Sequence, residues 1–135
     1  YSEITARIST TSGGGAWTNS SWSTVQVAGM AGNSPLDADY LVERFVGSMQ
    51  DLGSQRVVNI DIATLPPGGV AGTDEQIQSR VAVGRLAAAQ YTAADYEFPI
   101  PFIAYKGEML RIRSRANIAS SVVGTNFQLQ RINRY

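Results

Sequence analysis

Along the chain, apolar and polar positions alternate with period two in segment after segment, which is the spacing of a half-buried strand and not of a helix. From Ser2 to Ser12, Ile4, Ala6 and Ile8 fall on one side and Glu3, Thr5, Arg7 and Ser9 on the other, until Gly13-Gly14-Gly15 stops the run. Thr24 to Gly29 alternates again and closes on the turn residues Gly32-Asn33-Ser34-Pro35. Arg56 to Thr64 sets Val58, Ile60 and Ile62 against Val57, Asn59 and Asp61 and ends at Pro66-Pro67-Gly68-Gly69. Met109 to Ala116 turns Leu110 and Ile112 inward, and Phe127, Leu129 and Ile132 carry the pattern to the end of the chain.

Three segments need arbitration. In Asp37 to Gln50, Ala38, Leu41, Val42, Phe45 and Met49 sit at helical spacing, while Leu41, Phe45 and Met49 also fit one alternating face with Glu43 between them. Gly47 and the aromatic and β-branched content favour a strand. In Thr73 to Gln90, Thr73 with Gln76 matches a capping box and Asp74-Glu75 suits a helix N-terminus, but Val81 and Val83 alternate and Gly84 interrupts. The expectation is at most a short helical turn near Asp74, followed by an extended segment from Arg80 to Ala89. Tyr96 to Ala104 alternates with Pro99 and Pro101 on one side, and because proline cannot donate to a ladder this predicts an edge strand, followed by a tight turn at Lys106-Gly107-Glu108. The sum is a single all-β domain over residues 1–135: an antiparallel β-sandwich or jelly roll of about six to eight strands with at most one short helix. Its strand edges are open to pairing, which oligomerisation would cover.

Composition sharpens the functional side. A chain of 135 residues with 44% hydrophobic and 16% charged residues supports one packed core. It has no Cys and no His, which removes disulfides, thiol nucleophiles, the usual zinc ligand sets and every histidine general base together. We therefore expect no enzyme, no catalytic residue, no cofactor and no metal. The pairs Asp37/Asp39 and Asp95/Glu97 would each share a face if extended, as a paired-carboxylate site requires, but they lie beside turns, where solvated acids are ordinary. The spacing of an EF-hand is absent. No apolar run is long enough for a membrane-spanning helix, and the opening YSEITARIST lacks the plan of a signal peptide, so no membrane partner is expected.

The eleven basic and eleven acidic residues cancel, which gives nucleic-acid binding by bulk charge no support. The cancellation is positional: residues 1–105 hold five Arg and ten Asp/Glu, whereas 106–135 hold six basic residues and Glu108 as their single acid. Arg111, Arg113 and Arg115 fall on one face of one strand, opposite Leu110 and Ile112, and Arg131 and Arg134 follow. Three readings are open. The arginines form a solvated face paired with carboxylates on neighbouring strands, or a contact to a phosphate or nucleic acid, or a protein interface, which the flat, weakly hydrated guanidinium suits. If the last two strands lay on one side of the sandwich, a basic face would meet an acidic face of the next copy. Trp17 and Trp22, with Tyr91, Tyr96 and Tyr105, are candidates for stacking on a sugar and equally for anchoring a core or interface.

The stretch YEFPIPFIAYKGEMLRIRSRAN, Tyr96 to Asn117, resembles the small β-sandwich auxiliary proteins of tailed-phage virions in its Pro-rich strand, glycine turn and following strand. The resemblance implies a capsid decoration or cement role, with homo-oligomerisation, a trimer being one form, and docking on a major capsid-type protein. Taken with the missing catalytic side chains, the expectation is a non-enzymatic structural protein of a virion, with Arg111, Arg113, Arg115, Arg131 and Arg134 as interface residues. The alternative is an extracellular carbohydrate- or receptor-binding β-sandwich module using Trp17 and Trp22.

Overall fold

A computed structural model describes residues 3–27, 29–30, 33–49, 56–85 and 95–132. Among these described residues nine strands follow one another: β1 (Glu3–Thr11), β2 (Ser23–Thr24), β3 (Gln26–Val27), β4 (Asp39–Met49), β5 (Arg56–Leu65), β6 (Gln76–Arg85), β7 (Asp95–Ala104), β8 (Met109–Ala116) and β9 (Val122–Ile132). They form a five-stranded sheet of order β3-β1-β9-β4-β7 and a four-stranded sheet of order β2-β8-β5-β6, with every pairing antiparallel. The pairs β1/β9, β2/β8, β4/β7 and β5/β6 nest like the turns of one long hairpin. That ribbon wraps so that β9 also pairs with β4 and β8 with β5, which is the topology of a jelly roll. The chain changes sheet at buried Val25, between β2 and β3.

The two inner faces meet in one apolar core. Val58, Ile60 and Ile62 of β5, Val81 and Val83 of β6 and Leu110 and Ile112 of β8 pack against Tyr40, Val42 and Phe45 of β4 and Val123, Phe127 and Leu129 of β9. Phe45 and Phe127 sit edge-to-face at its centre, ring centroids 5.2 Å apart. A polar link also crosses the layers, the 2.8 Å hydrogen bond between the hydroxyls of Thr10 and Ser114.

The segment 37–50 is a strand, but its inward face is not a simple alternation. The register shifts between Val42 and Arg44 against both neighbours, so the buried positions run Tyr40, Val42, then Phe45 and Gly47. This bulge puts Leu41 on the opposite face from Phe45, correcting the expectation that Leu41, Phe45 and Met49 share one. Proline-bearing β7 is an edge strand, as its composition predicts. No helix occurs among the described residues. Near Asp74 the chain makes a single turn in which the Asp74 N–H donates to the Val70 carbonyl at 3.0 Å. There the acids reach back along the chain: Asp74 Oδ2 accepts from Val70 N at 2.7 Å and Glu75 Oε2 from Gly72 N at 2.9 Å. The extended segment foreseen from Arg80 begins earlier, at Gln76, and residues 86–89 lie outside the described ones.

Candidate functional site

The outer face of the four-stranded sheet carries a connected set of charges. Register sets Asp61 of β5 between Arg80 of β6 and Arg113 of β8. Arg113 Nε lies 2.9 Å from Asp61 Oδ2, Arg80 Nε 3.2 Å from Oδ1, and Arg115 Nη1 3.7 Å from Oδ2. One carboxylate, with its side chain only 3% exposed, thus holds three guanidiniums, a charge-assisted arrangement that fixes long side chains on an otherwise open sheet. Trp22, from the segment that runs beside β8, lies under the Arg113 guanidinium, 4.5 Å from its ring centroid, a cation–π distance.

One row further along, Arg111 faces Ala63 across the ladder. The short alanine side chain lets Arg111 Nε meet Glu75 Oε2 at 3.2 Å over the top of β5. Arg111 Nη1 also donates to Thr24 Oγ1 at 2.7 Å, and that hydroxyl donates to Asn33 Oδ1 at 2.7 Å. Both partners of the ion pair are buried, and the second oxygen of Glu75, Oε1, is buried with no hydrogen-bond partner. Desolvating a charge and leaving one lone-pair site empty costs free energy that only the guanidinium and Gly72 contacts offset.

The predicted site residues therefore separate. Arg111, Arg113 and Arg115 do share one face, each beside a carboxylate from another strand or loop. Arg131 stands at the end of β9 with Nη1 3.7 Å from Asp37 Oδ2, both half exposed, and Arg134 lies outside the described residues. The last two strands do not lie on one side: β8 belongs to one sheet and β9 to the middle of the other. The acidic-then-basic division along the chain is accordingly interleaved by sheet pairing, the alternative to a basic face opposite an acidic one. Trp17 and Trp22 stand in different surroundings. Trp22 is packed with Arg113, while Trp17, 50% exposed and held at φ 57°, stands in the β1–β2 loop with its N–H donating to Ala116 O at 2.6 Å. Tyr91 and the side chain of Tyr96 lie outside what is described.

The candidate carboxylate pair Asp37/Asp39 is likewise split by function. Asp37 Oδ1 accepts the Tyr40 hydroxyl at 2.6 Å, and buried Asp39 accepts Lys106 N at 2.8 Å. Tyr40 is pushed up to about 12 by burial first, then by its hydrogen bond to Asp37 and that group's charge, with Arg131 opposing. The side chains of Asp95 and Glu97 lie outside the described ones, and among the described residues no three Asp/Glu side chains gather in a metal-holding group. Sequence reading missed Asp61 and Glu75 as anchors. Alternation put Asp61 on the polar face of β5, and only the sheet order shows that its carboxylate is buried between Arg80 and Arg113.

No protein-family model matches the chain and no curated protein matches it in sequence. Among solved structures, it is similar to a chain of the infectious bursal disease virus Gt strain at 12% identity and TM-score 0.39, covering 99% of this chain and 33% of that one. A VP2 subviral particle of the same virus gives 9% identity and TM-score 0.37, over 96% of this chain and 32% of the other. Murine APRIL gives 11% identity and TM-score 0.40, over 93% and 98%. The chain thus spans about a third of the length of the viral chains it matches.

Proposed function

We propose that this chain is a non-enzymatic structural protein of a virion, of capsid decoration or cement type, acting by self-association and by docking on a protein lattice. The observation that carries the reading is the pair of open edges at which β6 and β7, the terminal strands of the two sheets, contact each other. Exposed apolar side chains lie on or beside these strands: Val70 in the β5–β6 loop, Ile77 on the outer face of β6, Ile103 on the outer face of β7 and Tyr105 just after it, while Trp17 is exposed in the β1–β2 loop. Open strand edges bearing exposed apolar side chains are a surface that association would cover. The jelly roll supports the reading as a fold recurrent in viral capsid domains, though a fold alone does not name a function. Arg115 and Arg131, 31% and 47% exposed at the side chain, join the contact surface in this proposal. Arg113, braced by Trp22, and Arg111, buried against Glu75, shape the face from beneath.

Light scattering on the full chain tests this reading. The wild type is expected to run as a multimer, and Ile103→Lys with Tyr105→Lys as a folded monomer. A wild type that stays monomeric at high concentration and fails to bind virion particles would remove it. Charge reversal at Arg115 and Arg131 should weaken association without unfolding, since neither side chain is buried.

A further inference from the structure

We infer that the outer face of the β2-β8-β5-β6 sheet binds a sulfated sugar chain, one sulfate ester seating on the guanidiniums of Arg80, Arg113 and Arg115. These three carry three positive charges against the single charge of Asp61, so the cluster keeps an excess of about two after its internal pairing. Their described contacts engage Nε of Arg80, Nε of Arg113 and Nη1 of Arg115. Since each guanidinium has five N–H donors, most of the donor capacity is left over. Asp61 and Trp22 hold the groups in place before any ligand arrives, which lowers the entropy lost on binding. Arg80 is 62% and Arg115 31% exposed at the side chain, so the cluster is approachable from solvent.

The ligand class follows from shape and hydration. A carboxylate offers two oxygens and would repeat the bonding Asp61 already makes from below. A nucleic-acid phosphodiester offers two terminal oxygens, and duplex binding wants a basic stripe along a backbone that carries a charge every ~1.7 Å. The present cluster spans only β6 to β8, two strand spacings or roughly 10 Å. A sulfate ester presents three terminal oxygens to three guanidiniums, and its weak hydration matches that of arginine better than a strongly hydrated phosphate monoester does. This inference does not depend on the assembly reading, because a monomer would bind as well.

Calorimetric titration of the full chain with a heparin octasaccharide at low salt is the test. Saturable binding that weakens as NaCl rises is expected, with none to the desulfated octasaccharide. Arg80→Gln with Arg115→Gln should weaken it at least about tenfold, since hydrogen bonds to charged groups are lost, while the circular dichroism spectrum stays unchanged. If that double variant fails to fold, Arg80→Gln alone is expected to lose about threefold at the most exposed of the three positions. Undiminished affinity in whichever variant folds overturns the site. Equal affinity for single-stranded DNA of matched charge overturns the sugar assignment.

Discussion

Arg111 and Glu75 meet across the top of strand β5, Nε to Oε2 at 3.2 Å, with both side chains withdrawn from water and the glutamate only 2% exposed. The contact ties the β5–β6 loop to β8 over the small side chain of Ala63, and it makes the arginine-bearing face a braced surface instead of a row of free cations.

Because the pair is buried, removing one member strands the other. Glu75→Ala should destabilise the fold by about 3 kcal/mol, more than an exposed pair could. Replacing both with apolar residues, Arg111→Met with Glu75→Leu, should recover most of that loss. Urea unfolding followed by tryptophan fluorescence measures both. A cost under about 0.5 kcal/mol for Glu75→Ala would mean that the pair is solvated.

Phe127→Ala should cost about 3 to 5 kcal/mol, because Phe127 is fully buried and loses its edge-to-face contact with Phe45 as well as its own burial. Phe127→Leu, which keeps most of the volume, should cost less than half as much. The shift in thermal midpoint ranks the two.

Gly47 sits in the middle of β4, where an added Cβ would come 2.8 Å from Val83 Cγ1 and 2.9 Å from Phe45 Cε1. Both neighbours are fully buried, so the clash is not relieved cheaply, and Gly47→Ala is expected to destabilise by about 1 to 3 kcal/mol despite alanine's smaller backbone entropy loss. Chemical denaturation checks the sign, and a neutral or stabilising result would show that β4 can move away from β6.

The raised value of Tyr40, about 12 against 10.0 when unfolded, makes a stability contribution that is complete below pH 10 and is lost as pH climbs toward 12. Over that window the unfolded chain releases the proton first. Tyr40→Phe should therefore narrow its stability gap to wild type between pH 10 and 12, while at pH 7 it costs about 1 kcal/mol for the bond to Asp37. Urea midpoints at a series of pH values test it, the other tyrosines being common to both proteins.

The strand set was legible because period-two alternation is a local property. The run Val58, Ile60, Ile62 against Val57, Asn59, Asp61 needs only its own neighbours to declare which side is buried, and the two prolines of β7 announce an edge by their missing donors. The bulge at Val42 to Arg44 was not legible. An extra residue is spelled by no side chain and appears only when β4 is laid between β7 and β9, whose registers fix where the offset falls. The capping-box pattern at Thr73 and Gln76 yields no more than the expected short turn near Asp74, and its partner was not legible either, since Glu75 pairs with Arg111, thirty-six positions away in the chain.

The order of residues along this chain was sufficient to specify all-β architecture, the inward faces of most strands and three arginines on one face. Folding in three dimensions decided which carboxylates those arginines meet. Asp61 and Arg113 lie 52 positions apart and Thr10 and Ser114 lie 104 apart, so their encounters depend on how the hairpin wraps and which strands become neighbours. Alternation arises from the geometry of one strand, whereas charge pairing arises from sheet order, and sheet order is set by burying both inner faces at once.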